Sequence, residues 1–200
     1  MNRLIFGTAN PAKILQIQGA LKSLGISVVW LPDEAKNIMV EEDGTTAQEN
    51  ARKKALAYAT AIKVPVLSMD NALFFDGLTP EDQPSTHVRR INNSSERPAD
   101  QELLAHYSQL VASLGDQIQG HWEFAVCYGY PDGTYKETTI ISPRIFVSKV
   151  SETVVSGYPL ESIQIEPESG KYISEMSQGE QDAFWEKAIG SQLASFVQRL

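Results

Sequence analysis

Short apolar runs alternate with helix-period segments over the first seventy residues of this 200-residue chain, and no other feature constrains the fold as much. Leu4-Ile5-Phe6 reads as a buried strand ending at Gly7. Asn10 then offers an N-cap acceptor, with Pro11 at the first helical position. Ile14, Ile17, Leu21 and Leu24 recur at helical spacing, and Gly25 is a good stop. Ile26 to Leu31 is β-branched and apolar. Strand, helix and strand in that order make a right-handed parallel crossover the default, with an antiparallel return left open.

Further along, Pro32 to Gly44 is polar and acidic and reads as a loop. Thr46 and Glu49 have capping-box spacing, and the helix after them carries Ala51, Ala55, Tyr58 and Ile62 on one face. Pro65 to Met69 is the next strand, with Asp70 and Asn71 at its carboxyl end. Residues 77–98 are rich in Pro, Ser and Asn and read as a long, mobile surface segment. Leu103, Tyr107, Leu110 and Leu114 mark another amphipathic helix. The pattern then turns to β. Trp122 to Tyr130 and Thr134 to Ile141 form a hairpin about Pro131-Asp132-Gly133, followed by strands at Arg144 to Val150 and Ser162 to Ile165. A closing helix begins near Ser177-Gln178-Gly179-Glu180 and carries Trp185, Ile189, Phe196 and Leu200. The expectation is one α/β domain over 1–200, with its β-rich part and C-terminal helix at about 115–200.

Charge and cysteine use narrow the function classes. Seventeen Lys and Arg against 25 Asp and Glu give a net charge of −8, which argues against a nucleic-acid polymer as partner. A small polyanion stays open, because a metal ion and a few lysines neutralise one locally. Cys127 stands alone, so a disulfide framework or cysteine zinc site is excluded, and a reducing cytoplasm is expected. The apolar run Leu4 to Phe6 is too short for a signal peptide, and no later run approaches membrane-spanning length, so no membrane partner is expected. P-loop, dinucleotide-binding and Gly-x-Ser-x-Gly motifs are missing, and His87, His106 and His121 lack metal-ligand spacing. Arg89-Arg90 reads as a solvated loop.

Three segments can carry chemistry. Thr8, Asn10 and Lys13 occupy the turn into the first helix, whose N-terminus favours phosphate; the alternative is a plain cap with a solvated lysine. Glu41-Glu42-Asp43 precedes Gly44, and a carboxylate beside a phosphate site is a usual holder of Mg²⁺; the alternative is an acidic solvated loop. Asp70 follows an apolar strand, where ligand sites of α/β sheets lie; the alternative is a cap for the next turn.

Together these segments resemble the inosine triphosphate pyrophosphatase (Ham1-like) family. Thr8-Ala9-Asn10-Pro11-Ala12-Lys13 is similar to its opening turn. Residues 41–51 resemble its acidic, glycine, Glu-Asn-Ala helix start, with Lys54 where the family has a lysine. Residues 65–73 resemble the strand that delivers its aspartate, and order and spacing agree over about 1–80, the phosphate- and metal-binding part. The resemblance implies an elongated mixed β-sheet flanked by helices, two lobes with a central cleft, and a homodimer. It implies that Thr8, Asn10, Lys13 and Lys54 hold a triphosphate and that Glu41 and Asp70 bind Mg²⁺. Asp70 would also activate the water that attacks the α-phosphorus, giving a nucleoside monophosphate and pyrophosphate.

The C-terminal half departs from the pattern. The base-reading Gly-Phe-Gly-Tyr-Asp-Pro segment falls on Gly157-Tyr158-Pro159-Leu160-Glu161-Ser162, and a family lysine falls on Gln181. The Ser-His-Arg triplet falls on Trp185-Glu186-Lys187, and Met69 replaces a second acid beside Asp70. Tyr158, Glu161, Lys187 and Asn71 complete the implied substrate contacts. A non-standard purine such as ITP, dITP or XTP is the leading substrate. A modified pyrimidine nucleotide, or a catalytically weak nucleotide-binding regulator, are the alternatives.

Overall fold

The computed structural model describes residues 3–91 and 98–200. Its backbone holds one six-stranded mixed sheet with flanking helices, an α/β architecture. The strands are β1 (Arg3–Gly7), β2 (Ser27–Trp30), β3 (Val66–Phe75), β4 (Gln117–Gly129), β5 (Tyr135–Val147) and β6 (Gln164–Ile165). Their order across the sheet is β2-β1-β3-β4-β5-β6. β1 runs parallel to both β2 and β3, whereas β6 is antiparallel to β5. The expected parallel crossover is therefore present, carried by α1 (Pro11–Leu21).

The chain divides into two compact units. The first comprises Met1–Asn71, Glu123–Ile141 and Asp182–Leu200; the second comprises Ala72–Trp122 and Ser142–Gln181. In the first, α3 (Ala47–Ile62) begins at a full capping box: Thr46 accepts from the Glu49 N–H, and the Glu49 carboxylate accepts from the Thr46 N–H. The reciprocal bonds satisfy helix-end donors that would otherwise lack partners. Tyr58 and Ala59 pack with Leu31, Val66 and Ala35, the last from α2 (Asp33–Lys36), a short helix inside the expected Pro32–Gly44 loop. Close approach explains two glycines. A Cβ on Gly7 would lie 2.6 Å from the Tyr58 ring, and one on Gly129 would lie 2.8 Å from the Ala55 carbonyl carbon. The C-terminal segment runs as α5 (Gln178–Trp185), a π-helical turn Glu186–Gly190, and α6 (Ser191–Val197). It packs on α1, where a Cβ on Gly190 would lie 2.6 Å from the Ala20 carbonyl oxygen.

In the second unit, α4 (Asp100–Ser113) buries Leu103, Leu104, Tyr107 and Val111 against Leu73, Phe75, Ile118, Phe146, Leu160 and Ile163. Phe75 meets Phe146 edge-on at 4.7 Å. Burying several large aromatic and aliphatic side chains, each worth about 1.5–3 kcal/mol, gives this unit its own core.

Several elements differ from the sequence expectation: besides α2, the strand expected at Ser162–Ile165 is β6 at Gln164–Ile165 alone, after a 3₁₀ turn Pro159–Ile163. β3 does not stop at Met69 but continues to Phe75, so Asp70 lies mid-strand. The continuation is driven by burial of Ala72, Leu73 and Phe75, which outweighs the low β propensity of Asp70-Asn71. The separate Arg144–Val150 strand is instead the second half of β5. The 77–98 segment is structured through its first two thirds: Gln83 exchanges hydrogen bonds of 2.8 Å with the N–H and C=O of Phe75, Ser85 bridges to Leu73, and Ile91 is buried. The remainder of that expected mobile segment, 92–97, lies outside the described residues.

Candidate active site

A charge cluster of the first unit forms where the β1–α1 turn, α3 and β3 converge. Asp70 is its centre. Lys54 Nζ donates to Asp70 Oδ1 at 3.0 Å and to Glu42 Oε2 at 2.7 Å. Lys13 Nζ approaches the same Asp70 oxygen at 3.8 Å. Asn50 Nδ2 donates to Asp70 Oδ2 at 3.2 Å, while its Oδ1 accepts from the Gly44 N–H at 2.8 Å. Asn50 and Lys54 are one helical turn apart, so α3 presents both on one face; they are only 3% and 7% exposed. The capping box starts that helix in the register which aims them at β3.

Two lysines and two carboxylates nearly cancel in charge. Burial alone would push the Asp70 carboxyl up. Lys54, Lys13 and the hydrogen bonds from Lys54 and Asn50 outweigh it and hold Asp70 below the usual carboxylate range. Burial likewise favours a neutral Lys54, but Asp70 and Glu42 overcome that and keep the ammonium charged. Tyr58 lies under the same cluster, its phenol raised by burial and by Glu42 against an opposing pull from Lys54.

At the β1–α1 turn, Thr8 Oγ1 accepts from the Asn10 N–H at 3.1 Å, and Asn10 Oδ1 caps α1 by accepting from the Ala12 N–H at 3.0 Å. The Asn10 amide hydrogens remain as donors that no described residue takes. The structure thus brings Lys13, Lys54 and Asp70 together, with Thr8 and Asn10 on the adjoining turn. Glu41 is exposed, and the carboxylate that reaches Lys54 belongs to its neighbour Glu42. Asn71 follows Asp70 on β3 with its buried Oδ1 lacking a donor among the described residues. Lys187 is exposed in the π turn.

Tyr158 and Glu161 belong to the second unit. Their turn is clamped: Arg89 donates to Asp100 at 3.0 Å and to the Gly157 carbonyl at 2.8 Å, and Asp100 accepts from the Gly157 N–H at 2.9 Å. Arg89, expected in a solvated loop, is instead a structural anchor, because the carbonyl and carboxylate give its planar fork two acceptors. Glu161 is buried within the 3₁₀ turn Pro159–Ile163. Burial pushes its carboxyl up to about 7 despite the opposing pull of Arg144. Burial also raises the Tyr158 phenol, helped by Glu161 and opposed by Arg89.

The sequence singled out none of Glu42, Asn50, Tyr58, Arg89 and Arg144 individually as a site residue. For Asn50 a signal existed: it stands four residues after the Thr46 cap and four before Lys54, which fixes its face. Arg89 meets Gly157 across 68 residues and Glu42 meets Lys54 across 12, and no local spacing reveals either contact.

A model of the Ham1 family matches residues 4–189. The chain belongs to the Ham1 family. A dITP/XTP pyrophosphatase of Synechocystis sp. is 31% identical over 182 residues, covering 90% of this chain and 87% of that protein. Another dITP/XTP pyrophosphatase, from Anaeromyxobacter sp., is 40% identical over 119 residues, 58% of this chain and 50% of that protein. Among solved structures, the Staphylococcus aureus Ham1 protein superposes with a TM-score of 0.72 at 19% identity, over 98% of both chains. A HAM1 protein from Coxiella burnetii gives 0.70 at 18% identity over 100% of both. At such identities the likeness shows the fold, and the Ham1 fold is the α/β arrangement described above.

Proposed function

We propose that this Ham1-family chain is a nucleoside triphosphate pyrophosphatase, a hydrolase of acid anhydrides that converts a non-standard purine nucleotide such as ITP, dITP or XTP to the monophosphate and pyrophosphate. The observation that carries the reading is Asp70 held between Lys54, Lys13 and Asn50 beside a helix N-terminus. The dITP/XTP pyrophosphatases among its relatives support it.

In this reading the triphosphate is held by Lys13 and Lys54, with Thr8 and Asn10 at the β1–α1 turn. Both lysines are engaged with Asp70 in the free protein. As phosphate oxygens draw them away, an Asp70 carboxylate oxygen is freed to orient the attacking water and take its proton. Charge that grows on the leaving pyrophosphate is met by the same two ammonium groups, so positioning and electrostatics carry the step. Tyr158, Glu161, Asn71 and Lys187 are assigned to the rest of the nucleotide.

The donor set fits a divalent cation. Glu42 and Asp70 both reach Lys54 Nζ, so two hard carboxylate oxygens already converge on one positive charge. Mg²⁺ takes one or two carboxylates together with phosphate oxygens and water, and needs no all-protein cage. Among the described residues no group of three or more His, Cys, Asp or Glu forms such a cage. Mg²⁺ is therefore proposed as the cofactor, held by Asp70 and Glu42, and when bound it offsets charge on the departing phosphates. A cytoplasmic homodimer is proposed from the family resemblance. No described helix is long and apolar enough to cross a membrane.

The test is a panel of nucleoside triphosphates with Mg²⁺, scored for pyrophosphate release. Turnover of ITP, dITP or XTP with pyrophosphate rather than phosphate as product is expected. Nucleotide binding without turnover of any member would overturn the enzyme reading.

A further inference from the structure

Three groups hold Asp70 in the first unit, and a triphosphate acts on them unequally. Lys54 and Lys13 both approach Oδ1, at 3.0 and 3.8 Å, and both are cations for which phosphate oxygens compete. Asn50 instead reaches Oδ2, donating from Nδ2 at 3.2 Å. Its amide is neutral and the residue is 3% exposed, so a phosphate finds no charge to draw on and little access.

The far end of Asn50 is fixed by main chain. Its Oδ1 accepts from the Gly44 N–H at 2.8 Å. A Cβ on Gly44 would lie 2.6 Å from that Oδ1 and 2.7 Å from Glu49 Cβ, so the close seat of this backbone requires glycine. The next two residues are pinned to the same helix end, the Thr45 and Thr46 N–H groups donating to the Glu49 carboxylate at 2.7 and 3.4 Å. None of these contacts involves a group assigned to phosphate. The orientation of the amide is set by chemistry, since the Gly44 N–H needs an acceptor and the Asp70 carboxylate needs a donor. Aspartate lacks the donor and leucine lacks both, so no other side chain of this length serves the two ends.

We propose that Asn50 is a positioning residue of the reaction: it keeps Asp70 aimed through Oδ2 when substrate draws the lysines away, and so leaves Oδ1 as the oxygen that meets the attacking water. The assignment rests on the pyrophosphatase reading above and adds to it which carboxylate oxygen reacts and what holds it. Without Asn50, a carboxylate released by both lysines is free to turn about its side-chain bonds. Its oxygen then no longer keeps one distance and direction to the water, and a misplacement of about 1 Å costs on the order of 10²-fold in rate. Asn50 touches Asp70 and, in this assignment, no part of the nucleotide, so its loss is felt in kcat rather than in KM.

The test measures ITP turnover and ITP binding on the full chain with Mg²⁺ for Asn50→Leu, a near-isosteric change that removes donor and acceptor, alone and combined with Asp70→Asn. Asn50→Leu alone is expected to lower kcat by about 30-fold, the loss of one hydrogen bond to a charged group, with KM within about three-fold. Added to Asp70→Asn, it should lower the residual turnover by less than about two-fold, because the group it positions is already gone. ITP affinity in a binding isotherm should differ by less than about three-fold between the single Asp70→Asn and the double variant. If Asn50→Leu does not fold, Asn50→Ser, whose hydroxyl is too short to span Gly44 and Asp70, carries the same comparison. Equal losses in both backgrounds, a loss carried by KM, or an unchanged kcat overturns the assignment and leaves the pyrophosphatase reading intact. Absence of turnover of any triphosphate by the unsubstituted protein overturns that reading and this assignment with it.

Discussion

Each of the two units holds a largely buried carboxylate, and the two are treated in opposite ways. Asp70 in the first unit is gripped by two lysines and an asparagine amide and is held charged below its ordinary range. Glu161 in the second has no protein donor among the described residues and is pushed up to about 7. Burial acts on both in the same direction, so the contrast comes from the partners alone. In the proposed reading, the first arrangement keeps an anion in place until substrate phosphates compete for its lysines.

The largest effect that breaks this comparison is loss of the Asp70 charge. Asp70→Asn keeps the side-chain shape and should lower kcat by about 10³-fold, within the range of a lost general base, while nucleotide affinity stays within a few-fold. Steady-state kinetics with ITP and a binding isotherm check both halves, and wild-type turnover would remove Asp70 from the mechanism.

Next comes stability against pH, where the two carboxylates have opposite signs. Asp70 binds its proton less tightly folded than unfolded, so its contribution is present above the unfolded value of 3.8 and is lost as pH falls through the lower folded value. Glu161 binds its proton more tightly folded, so its contribution is full below 4.5 and is lost as pH rises through about 7. A shift of that size corresponds to about 3 kcal/mol. Glu161→Gln should flatten the loss of stability between those two pH values in denaturant titrations. An unchanged slope would show that Glu161 titrates normally.

A smaller effect separates Glu42 from Glu41. Glu42→Gln should weaken Mg²⁺ activation by about 30-fold, and Glu41→Gln should change it less than two-fold. The reverse ranking would return the metal to the residue that the sequence resemblance implied.

That last pair also shows where sequence reading stops. The capping box at Thr46 and Glu49 and the Asn10-Pro11 helix start were legible because they are local, set by atoms three or four residues apart. Lys13, Lys54 and Asp70 were legible as a set because each sits at a fixed offset from such a local signal. Which of the adjacent Glu41 and Glu42 reaches Lys54 was not, since no periodicity in an irregular loop orders them. Asp70 was placed at a strand end because Asp and Asn are poor strand residues; the burial that carries β3 on to Phe75 comes from the second unit's core. Arg144 and Glu161 come from separate elements, β5 and a 3₁₀ turn, and no spacing along the chain encodes that the charge of one acts on the other.

The most direct measurement is a carboxyl ¹³C titration of Asp70 and Glu161 in one sample, each assigned with its amide variant. The account predicts that Asp70 titrates below 3.8 and Glu161 near 7. Two carboxyls titrating together in the ordinary range of about 3.9–4.3 would contradict it.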